Sequence, residues 1–594
     1  MMGLSGFLEK YLYVMRGQEW KLATLIAMYL LMAFLDIMGI GLVGPFVGTV
    51  VNPTLVEKIT LVRWIFAQLN MQPGSLNAVL VIGGFLIILF ILKFLIAVSI
   101  QFRVYRFSFH FRAELIERLM RAYLHMPYRF FLERNSASIV QAIVNHTKVM
   151  VDDLLLPSLR ICSDSITIII IFSFLCWISV TAVASLGCML VIAALIYIRF
   201  VRPRVIQAGQ ISAQENELVI RGVNEGIGGI KEIKVLRVES FMTDTVTRAA
   251  HNTARAHARF YTMLQAPRSM MEVVLILFVV LFSLLAIGMG EAGESLMPIL
   301  ATFGVASLRI LPSAISASAS IASMSYSSHA LISLYEDLRS VESTSTRTIP
   351  SQPVPTRTDF EPFRSLEIQD LSYAYPGASR KAIDGISLRI TKGQSVGLIG
   401  ESGAGKTTLI DILLGLHPFD SGRMRINDQD IETFAWPRWL DQVAYIPQSP
   451  FLADDTLARN VAFGVSDALV DPKRLDDAIR AAQLETLLTR LANGYATVLG
   501  DRGIRLSGGE RQRIALARAF YHNRDVFIFD EATSALDMET ERQVIEVINQ
   551  LHGEKTLIVI AHRLATVQAC DVIYRMRDGK VVASGTFAEV VNGE

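Results

Sequence analysis

The placement of long apolar runs limits this chain more than any other feature. Six stretches, at about residues 22–50, 78–101, 155–179, 182–201, 269–289 and 296–326, are long enough to cross a bilayer as helices, and all lie before residue 330. A hydrocarbon core of about 30 Å takes about 20 helical residues, and in that medium the backbone has to satisfy its own hydrogen bonds. A chain of 594 residues with 52% hydrophobic and 19% charged residues is too apolar for an ordinary soluble protein of that length. Residues 1–340 are therefore expected to form an α-helical transmembrane domain of six spans.

Several local features refine this expectation. The third and fourth runs nearly merge, so a turn near residues 179–181 must reverse the chain at one membrane face. The first run exceeds the 7–15 apolar residues of a signal peptide and lacks a small-residue cleavage pattern, so it is expected to stay in the mature chain. Ahead of it, Leu4, Phe7, Leu8, Tyr11, Leu12 and Met15 recur at helical spacing, which predicts an amphipathic entry helix over 4–17. The segments after the second and fourth runs are rich in Arg and Lys (Arg103 to Arg134 and Arg199 to Arg237), whereas the turn Gly290 to Ser295 is acidic. The positive-inside tendency then puts both termini in the cytoplasm. Each basic segment keeps helical periodicity far beyond a normal connection, which predicts two cytoplasmic hairpins. Net charge is +1, which excludes a strongly basic nucleic-acid binder. The four cysteines, Cys162, Cys176, Cys188 and Cys570, show neither CxxC spacing nor a disulfide framework and read as packing residues.

Composition changes to Ser, Thr and Pro over 341–362, which predicts a linker. From 363 to 594, short β-rich runs (366–373, 386–390, 395–399, 526–529, 556–560) alternate with helical stretches, the pattern of an α/β domain with buried parallel strands. Within it, Gly400-Glu401-Ser402-Gly403-Ala404-Gly405-Lys406-Thr407-Thr408 fits the GxxxxGK[ST] phosphate loop, after an apolar strand and before a helical run. Glycines let successive N–H groups turn inward around phosphates, the helix N-terminus adds a favourable dipole, Lys406 reaches the β/γ-phosphates, and Thr407 suits Mg²⁺. A second apolar strand, Val526 to Phe529, ends in Asp530 and Glu531, a carboxylate for the Mg²⁺ shell and one to polarise a water. Between these elements, Leu506-Ser507-Gly508-Gly509-Glu510 opens a helical run and offers a second phosphate-binding helix end.

In this order, followed by Ser534-Ala-Leu-Asp537 and Ala561-His562-Arg563, the motifs resemble the nucleotide-binding domain of the ATP-binding cassette (ABC) transporters. Six spans followed by one such α/β P-loop domain resemble a half-sized ABC exporter. The resemblance implies an ATPase coupled to transport, with ATP and Mg²⁺ as cofactors. It implies that Tyr375 stacks on adenine, that Gln448 touches Mg²⁺ and senses the γ-phosphate, that Glu531 is the catalytic base, and that His562 contacts the γ-phosphate. It also implies that Ser507, Gly508, Gly509 and Glu510 act on the opposite subunit's ATP, hence a homodimer or a pair with a related half-transporter. Coupling helices are expected near Glu133 to Gln141 and Glu225 to Val238.

Cargo has to be read from the membrane half. A cation at mid-bilayer costs at least about 2.5–3.5 kcal/mol on insertion scales, so buried charges are functional candidates. Asp36, Lys93, Arg268 and Arg309 stand out, and three cations facing a cavity suit a phosphate or pyrophosphate head group. The stretches Ala266-Pro267-Arg268 and Leu308-Arg309 to Ala314 resemble those of PglK-type flippases of lipid-linked oligosaccharides. That resemblance implies that Lys93, Arg268 and Arg309 line the path of a pyrophosphate, with Lys93 departing from Arg. Leu55, Ile59, Val62, Phe66 and Leu69 predict a short outer-side helix of the kind those flippases associate with a polyprenyl tail. The expected setting is the bacterial inner membrane. Alternatives are a multidrug, peptide or lipid A exporter, and an ATP-gated channel or regulatory subunit, against which the intact Glu531 and signature speak.

Overall fold

The computed structural model describes residues 4–32, 34–35, 76–178, 180–288, 310, 312–348, 361–434, 436–500, 506–531, 538–561 and 563–591. These fall into two compact units, Met1–Met126 with Phe131–Ile349, and Pro127–Phe130 with Pro350–Glu594.

The first unit is helical. Among the described residues, four helices are long and apolar enough to cross a membrane: Gly83–Leu124, Ser138–Ser173, Val183–Gly228 and Glu239–Phe282. They correspond to the second, third, fourth and fifth apolar runs. Much of the first and sixth runs lies outside the described residues, as do Asp36, Arg309 and the expected outer-side helix at 55–69. Helix α1 (Leu4–Val14) lies within the stretch 4–17 where an amphipathic entry helix is expected. Its Tyr11 hydroxyl shares a 2.7 Å hydrogen bond with Ser158. Helices α2 (Leu76–Leu124) and α3 (Glu239–Gly288) have 49 and 50 residues, more than twice what a bilayer needs, so apolar spans run on into polar extensions. On α2, Ile87, Ile88 and Phe94 are each more than 60% exposed, as expected where the solvent is lipid.

Polar pairs between distant segments fasten this unit. Asp153 accepts hydrogen bonds from Ser327 (2.9 Å) and Ser323 (3.4 Å). Glu342 accepts from Arg118 and Tyr13, each at 2.7 Å, so one carboxylate ties three helices. Glu342 lies in a helix spanning Ser328–Thr348, so the stretch expected as linker from Val341 begins as helix. Short helices at Tyr128–Glu133, Ser136–Gln141 and Ile230–Leu236 occupy the positions where coupling helices are expected. All four cysteines are free; Cys570 is buried, but Cys176 and Cys188 are exposed, so packing inside the chain does not account for those two.

The second unit is α/β. One sheet has the order β10-β9-β3-β8-β7-β6, from β3 (Ser395–Ile399), β6 (Val443–Ile446), β7 (Val526–Asp530), β8 (Thr556–Ile560), β9 (Val572–Arg577) and β10 (Lys580–Gly585). Strands β9, β3, β8, β7 and β6 pair in parallel, and β10 is antiparallel to β9. The expectation of parallel strands needs one correction. The runs at 366–373 and 386–390 are β1 (Ser365–Tyr373) and β2 (Ile383–Thr391), which pair antiparallel in a separate sheet of order β2-β1-β4-β5, with β4 at Ser421–Ile426 and β5 at Gln429–Asp430. Alternation along β2, buried at Ile386, Leu388 and Ile390 and exposed between, marks an antiparallel face rather than a strand covered on both sides. Strands β3, β7 and β8 are buried at every position, as unbroken apolar runs in a covered parallel sheet should be.

Candidate nucleotide site

The phosphate loop joins buried β3 to the helix Lys406–Leu413. Two of its glycines are required by geometry. Gly400 has φ +151° and a Cβ there would lie 2.3 Å from the Met576 carbonyl oxygen; Gly405 has φ +98° and its Cβ would lie 2.5 Å from that of Ala382. Lys406 is buried, and its Nζ donates to the carbonyls of Gly400 (2.7 Å) and Glu401 (3.0 Å), so the amine folds back over the loop it follows. Burial lowers its pKa, while the charges of Glu531 and Asp530 act in the opposite direction. The structure therefore brings the loop amine to the strand-end carboxylates, about 125 residues away in sequence.

Asp530 closes β7 and is 8% exposed. Glu531 follows with φ +50°, an uncommon conformation for a side chain of this kind, and its N–H donates to the Ile560 carbonyl. Gln448 donates through Nε2 to Glu531 Oε2 at 3.1 Å, so the expected sensor glutamine and the expected base meet directly. Tyr375 shares a 3.1 Å hydrogen bond through its hydroxyl with Thr408 Oγ1 and stands edge-on to Tyr373, a ring at the rim of the phosphate loop. Ser507 caps the helix Gly508–Tyr521 in a reciprocal box: its side chain accepts from the Glu510 N–H, and Glu510 accepts from the Ser507 N–H. Arg490 also donates to Glu510, so this carboxylate is held inside the chain rather than presented outward. Gly508 and Gly509 open that helix; His562 lies outside the described residues.

Two residues here carried no role in the sequence reading. Tyr445 donates to Asp530 Oδ2 at 3.1 Å, and burial together with the Asp530 charge pushes its hydroxyl pKa up. Asp411, in the helix after the loop, is pushed up to about 6, chiefly by burial and then by the Asp530 charge. No spacing rule links positions 411, 445 and 530; adjacency of β6 and β7 and the run of the loop helix bring them together. The negative charge of Asp530 fits a hard divalent cation, and Thr407, Gln448 and Asp530 carry the kind of oxygen donor that could hold one.

The membrane candidates are less closely joined. Lys93 Nζ lies 5.3 Å from the centre of the Phe90 ring. Arg268 pairs with Glu272 at 3.4 Å, so one of the three cations expected in the path has an acidic partner one turn on, which the sequence reading passed over. It also passed over Arg160 and Asp164, two charged residues four apart inside the third apolar run. The i,i+4 spacing inside an apolar run was the available signal.

Two family models match the chain: the ABC transporter model at residues 383–534 and the ABC transporter transmembrane region model at 21–311. A helical membrane region followed by this α/β domain is the architecture of an ABC exporter. The chain belongs to the ABC transporters, and the two models together cover about three quarters of it. It is 37% identical over 227 residues to an ATP-dependent lipid A-core flippase of Aromatoleum aromaticum, an alignment covering 38% of this chain and 37% of that protein. It is 38% identical over 219 residues to the ABC transporter ATM1 of Toxoplasma gondii, covering 37% of this chain and 19% of that protein. The matched part thus spans well under half the length of these relatives. A bacterial Atm1-family ABC exporter with ATP bound superposes with a TM-score of 0.73 over 97% of this chain and 96% of that one; at 21% identity this likeness concerns the fold alone.

Proposed function

We propose that the chain is one half of a homodimeric, ATP-hydrolysing exporter of the bacterial inner membrane, with both termini and the nucleotide-binding domain in the cytoplasm. Its cargo in this reading is an anionic amphipathic lipid, a polyprenyl-pyrophosphate-linked oligosaccharide of the kind PglK-type flippases move. The observation that carries the ATPase part is the convergence of Lys406, Asp530, Glu531 and Gln448 on one strand end. In that arrangement the loop amides and Lys406 hold the phosphates. Glu531, oriented by Gln448, takes the proton of the attacking water. Asp530, Thr407 and Gln448 would hold Mg²⁺, which offsets charge on the phosphate oxygens. The signature residues Ser507, Gly508 and Gly509 complete the site of the other subunit, with the inward-held Glu510 fixing the start of their helix rather than reaching across, and His562 contacts the γ-phosphate.

The cargo part is supported by Lys93, Arg268 and Arg309 in the apolar spans. A second reading, a lipid A-core type of saccharolipid, is favoured by the bacterial relatives, which are named as lipid A-core flippases. Both cargoes are anionic lipids, and one experiment separates them. Proteoliposomes containing a polyprenyl-pyrophosphate sugar are compared with others containing lipid A-core, using wild type, Glu531→Gln and Arg309→Ala. Movement of the polyprenyl lipid by wild type, lost in Glu531→Gln together with ATP hydrolysis and lost in Arg309→Ala with hydrolysis retained, supports the proposal. Movement of lipid A-core alone transfers the assignment to the second reading, and ATP turnover that neither lipid stimulates defeats both.

A further inference from the structure

Strands β6 and β7 run parallel with Tyr445 opposite Ile528. Asp530 is two residues beyond Ile528, hence on the same face of the sheet. A tyrosine at position 445 can therefore lean forward along its strand and reach the carboxylate, and its hydroxyl donates to Asp530 Oδ2 at 3.1 Å. The ring is 38% exposed, so filling the core does not account for a tyrosine at this position. Three residues later Gln448 donates to Glu531 Oε2. One short segment, Tyr445 to Gln448, thus supplies a neutral donor to each member of the strand-end carboxylate pair. A neutral donor orients a carboxylate without cancelling the charge a cation needs, as a lysine or arginine would.

We infer that Tyr445 is a positioning residue for the metal-binding carboxylate: its hydroxyl fixes the rotation of Asp530, so that the carboxylate presents one face to the divalent cation that accompanies the nucleotide. The final torsion of an aspartate is broad and roughly two-fold, so without such a partner the two oxygens sample a wide arc. The inference rests on the reading of Asp530 as a metal ligand.

The test uses the full-length protein, a non-hydrolysable ATP analogue and Mn²⁺ as the probe, with bound Mn²⁺ read by electron paramagnetic resonance and no turnover. Tyr445→Phe keeps the ring and removes only the hydroxyl. It is expected to weaken Mn²⁺ binding about 10-fold, the size typical of losing a partner that orients a ligand. Metal-free binding of a fluorescent ATP analogue stays unchanged, and in steady-state assays the Mg²⁺ needed for half-maximal rate rises more than kcat falls. If Tyr445→Phe binds Mn²⁺ as wild type does while Asp530→Asn does not, the hydroxyl has no positioning role and the inference is overturned. An equal loss of metal-free nucleotide affinity overturns it too, since that marks general loosening of the site. If Asp530→Asn itself retains full Mn²⁺ affinity, the ligand reading fails and the inference falls with it.

Discussion

The two halves of this chain solve the same problem, placing polar groups where they are needed, by opposite means. In the α/β half the chemistry sits at strand ends and on the loop that follows one strand, and consecutive residues carry most of it: nine in the phosphate loop and two at the end of β7. In the membrane half the polar contacts join residues far apart, Tyr11 to Ser158, Asp153 to Ser327, Arg118 to Glu342. A parallel sheet buried on both faces fixes its strand ends, so a local motif suffices to build a site. A bundle of long helices has no comparable edge, and the polar ties that join its helices depend on the register of one helix against another. The first kind of site tolerates sequence change elsewhere, while the second is sensitive to any shift between helices.

If that contrast holds, the largest effects should come from single residues in the α/β half. Glu531→Gln is expected to reduce ATP hydrolysis by about 10² to 10⁴-fold, the range for loss of a general base, with nucleotide binding retained; phosphate release and binding of a fluorescent nucleotide measure the two separately. A variant that still hydrolyses ATP at the wild-type rate would show that the base lies elsewhere. Next comes the core that holds the strands. Trp439 is fully buried, packs against Phe363 and donates through Nε1 to the Leu413 carbonyl at 2.6 Å. Trp439→Ala should cost about 3–5 kcal/mol, read as a lowered first transition in thermal melts of the full chain.

Legibility in sequence followed the same division. The phosphate loop, the Asp530-Glu531 pair and the signature are local strings, and each could be placed on its strand or helix because an apolar run precedes or follows it. The second, antiparallel sheet was missed as such because β1 does not alternate, although the alternation of Ile386, Leu388 and Ile390 along β2 carried a trace of it. Tyr445 on β6 and Asp411 on the loop helix were passed over because Asp530, which each of them meets, lies on a different element, β7. In the membrane half, apolar length and Arg/Lys asymmetry exposed the four described spans, but Glu272 beside Arg268 and Asp164 one turn from Arg160 needed a helical-turn count that hydropathy alone does not make. Length of an apolar run reports the solvent; it says nothing about which face meets which neighbour.

A milder effect tests the membrane side of the comparison. Glu342 is about one third exposed and accepts from two helices at once, so Glu342→Ala removes two contacts but in a partly solvated site. A loss of about 1 kcal/mol is expected, well below that of Trp439→Ala. Should the two variants prove equally damaging in thermal melts, register-dependent polar ties would matter as much to this chain as its sheet core does.

The smallest effect is also the one whose sign is most informative. Asp411 has its pKa raised from 3.8 to about 6 in the folded protein, by burial first and by the Asp530 charge second. In the unfolded chain the carboxyl ionises near its ordinary value, so between about pH 4 and pH 6 the folded state holds more protons than the unfolded one. Stability from this group is therefore present below about pH 4 and is lost as pH rises through about 6, after which the loss is complete and flat. Asp411→Asn keeps the shape and removes the ionisation. It should raise the melting temperature at pH 8, by roughly 2–4 °C for each kcal/mol recovered in a domain of this size, and the gain should shrink toward zero at pH 4. A variant that is less stable than wild type at pH 8 would mean that the ionised Asp411 is held by a cationic partner, and the crowding of negative charge behind Asp530 would have to be redrawn.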